Sequence, residues 1–195
     1  MKKILIIITI FFSTISTINA KDIKRIVVGN KDAKITIITF ESLTCSHCAN
    51  FHKDVYPKLK KDYLDTGLAK IEFRHFPLDI AAFNASKISQ CRNDGDSEII
   101  QYLFENQNNW MGGSTTIDKV NSNLLKYTKE NMKFFNINME NCLKDKNIED
   151  FVLNDRIDGV KKYKINATPT IIINDKKFEK SLNYKNLKKA LEKLI

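Results

Sequence analysis

Residues 35–48 read Ile-Thr-Ile-Ile-Thr-Phe-Glu-Ser-Leu-Thr-Cys-Ser-His-Cys, and this stretch decides the fold. Its first part, Ile35–Phe40, is short and rich in β-branched residues, which is typical of a buried strand. It ends in a C-x-x-C pair, Cys45 and Cys48. The apolar residues that follow lie three or four positions apart, which predicts a helix that runs to about Leu64. Pro57 falls inside this pattern and should kink the helix. The cysteine pair is therefore expected where a strand gives way to a helix.

The segments on either side extend this unit into an α/β fold. A strand is predicted before it at Arg25–Val28 and another after it at Ala69–His75. Strand, helix and strand at this spacing form a βαβ unit with parallel strands. Five helical segments are then predicted, at Ile80–Arg92, Glu98–Gln107, Ile117–Asn131, Met139–Lys144 and Glu149–Tyr163.

The chain closes with two predicted strands and a helix, Thr170–Ile173, Lys177–Lys180 and Tyr184–Ile195. The strands are separated by Asn174-Asp175, a hairpin-type turn. On the helix a core-facing apolar stripe is predicted, formed by Leu187, Leu191 and Leu194.

The first 20 residues have the parts of a secretory signal peptide. Two lysines follow Met1, Ile4–Phe12 is apolar, and Ala20 is the small residue expected before a cleavage site. The apolar run is shorter than the roughly 20 residues of an ordinary membrane span. An uncleaved N-terminal membrane anchor is the alternative. In both cases the rest of the chain is expected in the periplasm, where disulfides persist.

Composition excludes several classes of protein. The chain has 195 residues, of which 43% are hydrophobic and 28% charged, so it is neither disordered, nor a coiled coil, nor a multi-span membrane protein. The net charge of +9 is consistent with binding to nucleic acid or to an anionic membrane, or with a solvated lysine-rich surface. Because acids are interspersed and no nucleic-acid motif accompanies the lysines, the surface interpretation is preferred and no nucleic-acid partner is expected.

The predicted position of the cysteine pair favours redox chemistry. Thr44 is the expected N-cap of the helix, and the unpaired N–H groups and partial positive charge at a helix N-terminus stabilise a thiolate at Cys45. A protonated His47 would add to that charge, whereas Cys48 should be more buried. A stabilised thiolate stabilises the reduced form, so each unit by which the pKa falls makes the disulfide more oxidising by roughly 30 mV.

Two other interpretations of the pair were weighed. Half of a zinc site would need a second close pair of ligands, but Cys91 and Cys142 stand far apart in the sequence. A purely structural disulfide in so small a ring would constrain little chain entropy. Redox catalysis by Cys45 and Cys48 is therefore preferred, with no metal and no cofactor expected.

Four features together resemble the thioredoxin superfamily, and most of all the DsbA-type thiol:disulfide oxidoreductases of the bacterial cell envelope. They are the Cys45–Cys48 pair with His47, the run from Phe51 to Pro57, the segment Phe76–Asp79, and Thr168-Pro169-Thr170. The resemblance implies a thioredoxin fold, βαβ…ββα, with an inserted all-helical domain. Residues 21–79 and 164–195 would form the thioredoxin-like domain, and residues 80–163 the insertion.

The resemblance also implies roles for residues outside the cysteine pair. In that family the late proline, here Pro169, is cis and faces the active site, and the backbone of Thr168 binds substrate. A trans proline that merely begins a strand is the alternative. Many relatives carry a buried acid six residues before the first cysteine, where this chain has Thr39. Glu41, on the same face of the strand, is the candidate substitute, and a solvent-facing glutamate is the alternative.

Cys91 and Cys142 fall in helices that some relatives join by a second disulfide. Pairing is plausible in an oxidising compartment, and two separate buried thiols are the alternative.

The function that follows from the resemblance is disulfide formation in reduced exported proteins, with the Cys45–Cys48 disulfide as oxidant and a membrane redox partner to restore it. The protein is expected to act as a monomer. A disulfide isomerase or reductase at the same site is the runner-up, but isomerases of the family usually carry an N-terminal dimerisation domain, and few residues precede the first predicted strand. A redox-inert binding module is a third hypothesis.

Overall fold

A computed structural model describes residues 22–195, so the predicted signal peptide, residues 1–20, lies outside the described part of the chain. Five strands form one sheet in the order β1-β3-β2-β4-β5. The strands are β1 Ile26–Gly29, β2 Ile35–Glu41, β3 Ala69–His75, β4 Thr170–Ile173 and β5 Lys176–Lys177.

The pairing of the strands puts β2 in the middle of the sheet. β2 and β3 are parallel, as the predicted βαβ unit requires, and β4 pairs antiparallel with the other edge of β2. Six of the seven residues of β2 are buried, which explains why its sequence is almost continuously β-branched or aromatic. The loop after β2 thus emerges from the centre of the fold.

One continuous helical stretch, residues 46–64, connects β2 to β3. It consists of α1 Ser46–Asn50, a π-helical turn at Phe51–Val55, α2 Tyr56–Leu59 and a second π-helical turn at Lys60–Leu64. Pro57 lies in the first turn of α2. Because proline has no N–H to donate to the preceding turn, the regular hydrogen-bond ladder is interrupted there, and the predicted irregularity at Pro57 takes the form of a π-helical turn.

The predicted N-cap of this helix is wrong. Cys45 itself is the residue that precedes the first helical turn, and no side chain caps that turn. The Thr44 hydroxyl instead donates to Asp79 Oδ2 over 2.6 Å, while Asp79 Oδ1 accepts from the backbone N–H of Ala82. Thr44 therefore ties the cysteine loop to the start of the next helix.

Helices fill the sequence between β3 and β4. They are α3 Ile80–Ser89, α4 Glu98–Glu105, α5 Gln107–Met111, α6 Ile117–Asn131, a 3₁₀ turn at Lys133–Phe135, α7 Met139–Lys144 and α8 Lys146–Tyr163. After β5, α9 spans Tyr184–Leu191. No helix of residues 22–195 is both long enough and apolar enough to cross a membrane.

The main core lies between the sheet, the 46–64 helix and the helices that follow β3. Trp110 of α5 is fully buried in it, and its Nε1 donates to the carbonyl of Leu103 over 3.1 Å. A smaller core on the opposite side of the sheet includes Phe40. There Gly159 of α8 lies against the Phe40 ring, where an added Cβ would come within 2.9 Å of it.

A disulfide joins Cys91, just beyond α3, to Cys142 in α7. The S–S distance is 1.98 Å and the two Cα atoms are 5.4 Å apart. The bond lies beside a third buried cluster that includes Val152 of α8. It therefore links α3 to α7, with α8 packed beside them.

The C-terminal hairpin turns at Asn174 and Asp175, as predicted. Both residues have positive φ, 45° and 64°, the conformation of a type I′ turn. The apolar stripe predicted on the last helix is only partly correct. Leu187 and Leu191 are fully buried, whereas Leu194 lies beyond the end of α9 and is 45% exposed.

Candidate active site

Cys45 and Cys48 are both free thiols in this structure, which therefore represents the dithiol form. Cys45 precedes the first turn of α1 and is partly exposed, whereas Cys48 lies one turn later and is fully buried. The backbone N–H of Cys48 donates to the carbonyl of Cys45 over 3.1 Å. The two sulfurs thus belong to one helical turn but meet different surroundings.

The segment before β4 lies directly against Cys45. The Thr168–Pro169 peptide bond is cis. The thiol of Cys45 donates to the carbonyl oxygen of Thr168 over 3.3 Å. Thr168 Oγ1 is buried and makes no hydrogen bond within residues 22–195 while Cys45 is a thiol, so its hydroxyl is available to donate to a Cys45 thiolate. The structure therefore brings Thr168 and Pro169 to the cysteine pair across more than 120 residues of sequence.

Several hydrogen bonds lower the pKa of Cys45 to about 5. The largest contribution is a hydrogen bond from the Cys48 thiol; burial opposes it, and the Thr168 side chain and the backbone N–H groups of Cys48 and His47 add to it. The His47 side chain itself is exposed. The helix N-terminus and the His47 charge are the predicted causes of the low pKa of Cys45, whereas the Cys48 thiol as leading donor was not predicted.

Cys48 behaves in the opposite way. Burial is the main reason that its pKa is raised, followed by its hydrogen bond to Cys45 and the negative charge of Glu41. At neutral pH the pair therefore holds one thiolate, on Cys45, and one thiol, on Cys48. A partly exposed thiolate beside a buried thiol is the arrangement that thiol–disulfide exchange needs, because the thiolate is the nucleophile.

Glu41 is buried and belongs to a side-chain network. The Thr39 hydroxyl donates to Oε1 of Glu41 over 2.8 Å, and Oε2 of Glu41 is 2.8 Å from Nε2 of His52. His52 Nδ1 in turn is 2.7 Å from Oε1 of Gln101 in α4. Strand alternation placed Thr39 and Glu41 on one face. His52 and Gln101 were not anticipated, although His52 occupies the apolar face of its helix, four residues after Cys48.

A second polar contact from the helices between β3 and β4 supports the cysteine loop. Nε2 of Gln107, in α5, donates to the carbonyl of Leu43 over 2.8 Å and to that of Cys45 over 3.1 Å. The Gln107 side chain is buried. It thus satisfies carbonyls of an irregular loop, a role that no local pattern in the sequence indicates.

A groove of about 630 Å³ runs beside Cys45 along the 46–64 helix. Its lining includes the buried Phe51 and the partly exposed Pro169, and also His47, Asp54 and Lys58, which are exposed. Apolar surface with charged groups at the edge suits an extended peptide segment. Residues 22–195 contain no cluster of three or more His, Cys, Asp or Glu side chains that could hold a metal ion.

The thiolate can be tested by titration. The absorbance of reduced protein at 240 nm should fall with a midpoint near pH 5 as Cys45 is protonated. The Thr168→Val variant should titrate at higher pH, because the Thr168 side chain helps to lower the pKa. The far-UV circular dichroism of the variant provides the control for folding.

The stability of the reduced protein should follow the same titration. Folding lowers the pKa of Cys45 below the 9.0 of an ordinary thiol, so the reduced protein gains stability as pH rises from about 5 towards 9. It loses that gain as pH falls through about 5. The oxidised protein has no titrating Cys45 and should lack this dependence of stability on pH.

In the titration at 240 nm, a midpoint near pH 8 or above would contradict the site as described.

A family model described as thioredoxin matches residues 21–193. The chain belongs to the thioredoxin family. Among solved structures, it is similar to alpha-DsbA1 of Wolbachia pipientis, with a TM-score of 0.75 and 28% identity over 87% of this chain and 90% of that one. Oxidised BdbD of Bacillus subtilis gives a TM-score of 0.71 and 28% identity, over 87% and 91%. The predicted DsbA-type resemblance and the α/β thioredoxin fold are thus confirmed.

Relatives found by sequence are named for disulfide oxidoreduction or disulfide bond formation. A "Putative protein-disulfide oxidoreductase" of Rickettsia bellii is 33% identical over 46% of this chain and 35% of that protein. "Disulfide bond formation protein D" of Bacillus subtilis is 28% identical over 86% of this chain and 75% of that protein. The chain spans about a third of the length of the Rickettsia relatives that it matches.

Proposed function

We propose that the protein is a thiol:disulfide oxidoreductase that introduces disulfide bonds into exported proteins through Cys45 and Cys48. The observation that carries the proposal is the asymmetry of the pair: a partly exposed Cys45 whose pKa lies at about 5, beside a buried Cys48 thiol. The names of the Rickettsia and Bacillus relatives support the same activity.

The oxidative half-reaction begins with the Cys45–Cys48 disulfide. A substrate thiolate attacks Sγ of Cys45, the disulfide breaks, and Cys48 leaves as a thiolate that takes up a proton. A second thiolate of the same substrate then attacks the substrate sulfur that is bonded to Cys45 in the mixed disulfide. The substrate disulfide forms and Cys45 leaves as a thiolate, so the substrate loses two electrons and the Cys45–Cys48 pair gains them.

The groups around Cys45 have roles in both steps of the reaction. The lowered pKa makes Cys45 a good leaving group, so release of oxidised product is favoured. The groove beside it would hold the substrate in an extended conformation, with Thr168 and Pro169 against the substrate backbone. We assign His47 the role of a tuning residue through its backbone N–H, and Glu41 that of the buried acid near Cys48.

The proposal extends to location and partners. Residues 1–20 act as an export signal or an anchor, the catalytic part lies in the periplasm, and a membrane protein reoxidises Cys45 and Cys48. The protein works as a monomer, with residues 80–163 as a helical domain inserted into the thioredoxin-like domain. The Cys91–Cys142 disulfide has a structural role.

Stoichiometric disulfide transfer tests the activity. Oxidised protein is mixed with a reduced, unfolded substrate that has two cysteines, and alkylated products are weighed by mass spectrometry. One substrate disulfide should form for each Cys45–Cys48 pair reduced. The Cys91→Ser/Cys142→Ser variant, confirmed to be folded, should transfer it equally well.

Two outcomes would count against the proposed activity. Substrate thiols that stay reduced would contradict an oxidase. Rearrangement of a mispaired substrate by the reduced protein, without net oxidation by the oxidised one, would identify an isomerase instead.

A further inference from the structure

The reaction leaves one requirement unexplained: a proton must leave and return to Cys48, which is buried away from solvent. Glu41 is near enough for its charge to act on the Cys48 thiol, but Glu41 is itself only 3% exposed. A buried carboxylate can exchange a proton with water only through another group.

The hydrogen bonds of His52 provide that group. Its Nε2 is 2.8 Å from Oε2 of Glu41, with both side chains only 2% exposed. Two acceptor lone pairs cannot face each other at that distance, so one proton must lie between Nε2 and Oε2. It resides on imidazole or on carboxyl. On the far side of the ring, Nδ1 is 2.7 Å from Oε1 of Gln101.

The amide of Gln101 defines two protonation states of the pair. In the structure Oε1 of Gln101 faces the ring, so Nδ1 of His52 must donate a proton to it. His52 and Glu41 together then hold one dissociable proton more than a neutral imidazole beside a carboxylate. If the Gln101 amide were flipped, its NH₂ group would donate to Nδ1 of His52, and that extra proton would be absent. The Nε2 atom of Gln101 is buried without a partner in residues 22–195, so neither amide orientation is fixed by a second hydrogen bond.

The His52 side chain is 2% exposed and lies at the wall of a second cavity. Its ring is stacked on Phe104, with ring centroids 4.0 Å apart. Both residues line a cavity of about 510 Å³ between the 46–64 helix and the inserted helices. Lys53 and Glu105, which are exposed, stand at its wall. Asn50 lines both this cavity and the proposed peptide groove along Phe51, whereas His52 and Phe104 line only the cavity.

Three further titratable groups face the Glu41–His52 pair. Cys48 lies within reach of the charge of Glu41, as do Tyr56 and His75. Burial raises the pKa of Tyr56 to about 12 and lowers that of His75 to about 3. At neutral pH Tyr56 and His75 are therefore uncharged and do not exchange protons. His52 is then the partner able to exchange a proton with Glu41.

We propose that His52 relays the proton of Cys48 between Glu41 and the water in this second cavity. The inference rests on the proposed function and adds a residue to it. His52 acts on Cys48 through Glu41, so it is a positioning residue whose ring also carries the proton.

The relay balances in both directions. When the pair is reoxidised, Cys45 is held in a mixed disulfide, Glu41 accepts the Cys48 proton, and the Cys48 thiolate attacks Sγ of Cys45 and expels the partner's thiolate. His52 passes the accepted proton to water. When substrate opens the Cys45–Cys48 disulfide, Cys48 leaves as a thiolate and receives a proton along the same path in reverse.

Oxidation of the reduced protein by glutathione disulfide separates the relay from the chemistry of Cys45. The first step, attack by Cys45, depends on the glutathione disulfide concentration and forms the Cys45–glutathione mixed disulfide. The second step, attack by Cys48, does not. Acid quenching followed by mass spectrometry follows the mixed disulfide through both steps, in the full chain.

The His52→Gln variant keeps a hydrogen-bond donor towards Glu41 but cannot relay a proton. We expect the first step to be unchanged and the second to slow by roughly 10- to 100-fold at pH 7. The variant rate should rise about tenfold per pH unit, because without His52 only hydroxide is left to remove the proton that Glu41 accepts. The wild-type rate should vary much less with pH.

Thr39→Val is the matched control. It removes the other hydrogen bond to Glu41 and leaves the relay in place, so its second step should slow by less than about threefold with a wild-type pH profile. Equal effects of Thr39→Val and His52→Gln, or an unchanged second step in His52→Gln, would overturn the relay. A missing first step in wild type would instead contradict the proposed function.

A second variant keeps the test decisive if His52→Gln does not fold. Gln101→Leu alters a partly exposed residue of α4 and removes the acceptor of Nδ1. It should slow the second step severalfold, with a steeper pH profile than wild type. A Gln101→Leu profile identical to wild type would overturn the relay as well.

Discussion

The Cys45→Ser variant should lose all disulfide transfer, a fall of at least about 10³-fold, because a serine hydroxyl can neither form the disulfide nor accept substrate in a mixed disulfide. Cys48→Ala should lose turnover to the same extent but for another reason. Its Cys45 still forms mixed disulfides, and no neighbouring thiol resolves them. In mass spectra, Cys48→Ala incubated with glutathione disulfide should carry one stable glutathione adduct, and Cys45→Ser none.

The two variants also separate the roles of the cysteines. Loss of the Cys48 thiol removes the main hydrogen bond that lowers the pKa of Cys45, so the reactivity of Cys45 in Cys48→Ala should decline below pH 7 more than in wild type. Cys91→Ser/Cys142→Ser serves as the control that retains turnover. Stable adduct formation by Cys45→Ser through Cys48 would contradict the assignment of Cys45 as the nucleophile.

The Trp110→Ala variant should lose about 3–5 kcal/mol of its free energy of unfolding. Trp110 is fully buried, and its Nε1 donates to Leu103 O, so truncation leaves a large cavity and an unpaired carbonyl. With a urea m-value of about 2 kcal/mol/M, the unfolding midpoint should fall by roughly 2 M. Because Trp110 is the single tryptophan of the chain, unfolding must be followed by circular dichroism rather than by its fluorescence.

Trp110→Phe is the matched variant, since it keeps an aromatic ring and loses only part of the volume and the N–H donor. It should cost clearly less than Trp110→Ala. A shift below about 1 kcal/mol in Trp110→Ala would mean that α5 is not anchored in the main core. Because α5 also carries Gln107, which bonds the Cys45 loop, loss of stability and loss of activity should go together.

Local patterns were enough to predict most of the fold. β-branched runs located β2 and β4, and β3 has alternating residues, every second one of them buried. The bounds of Ile117–Asn131 and Met139–Lys144 agree with the predicted ones. These elements are long or clearly bounded by Asn, Gly and Asp, so hydrophobic period and turn residues define them. The positive φ angles of Asn174 and Asp175 follow from the same turn chemistry.

What the sequence could not provide are contacts made across the chain. The N-cap assigned to Thr44 was wrong because its hydroxyl has a stronger partner, Asp79, 35 residues away. The helix Gln107–Met111 was missed since its five residues are too few to show a period. Likewise His52 meets Glu41 only after the 46–64 helix packs on the sheet.

The cysteine pair was predictable in position but not in mechanism. Its place after a buried strand followed from the sequence, and so did the direction of the Cys45 pKa. The leading cause did not, because a hydrogen bond from Cys48 to Cys45 depends on how the first helical turn is wound. The contact of Cys45 with Thr168 likewise requires the whole sheet to be assembled.

The reduction potential of the Cys45–Cys48 pair tests the central claim most directly. It is measured by equilibration with glutathione in the Cys91→Ser/Cys142→Ser variant, so that a single dithiol is followed. A pKa of about 5 at Cys45 stabilises the reduced form by an amount worth roughly 100 mV relative to an ordinary thiol. The corresponding thiol of thioredoxin has a pKa of about 7, so a pKa about two units lower predicts a potential roughly 60 mV above the thioredoxin value of about −270 mV. A potential near −270 mV would contradict the oxidase and identify the protein as a reductant.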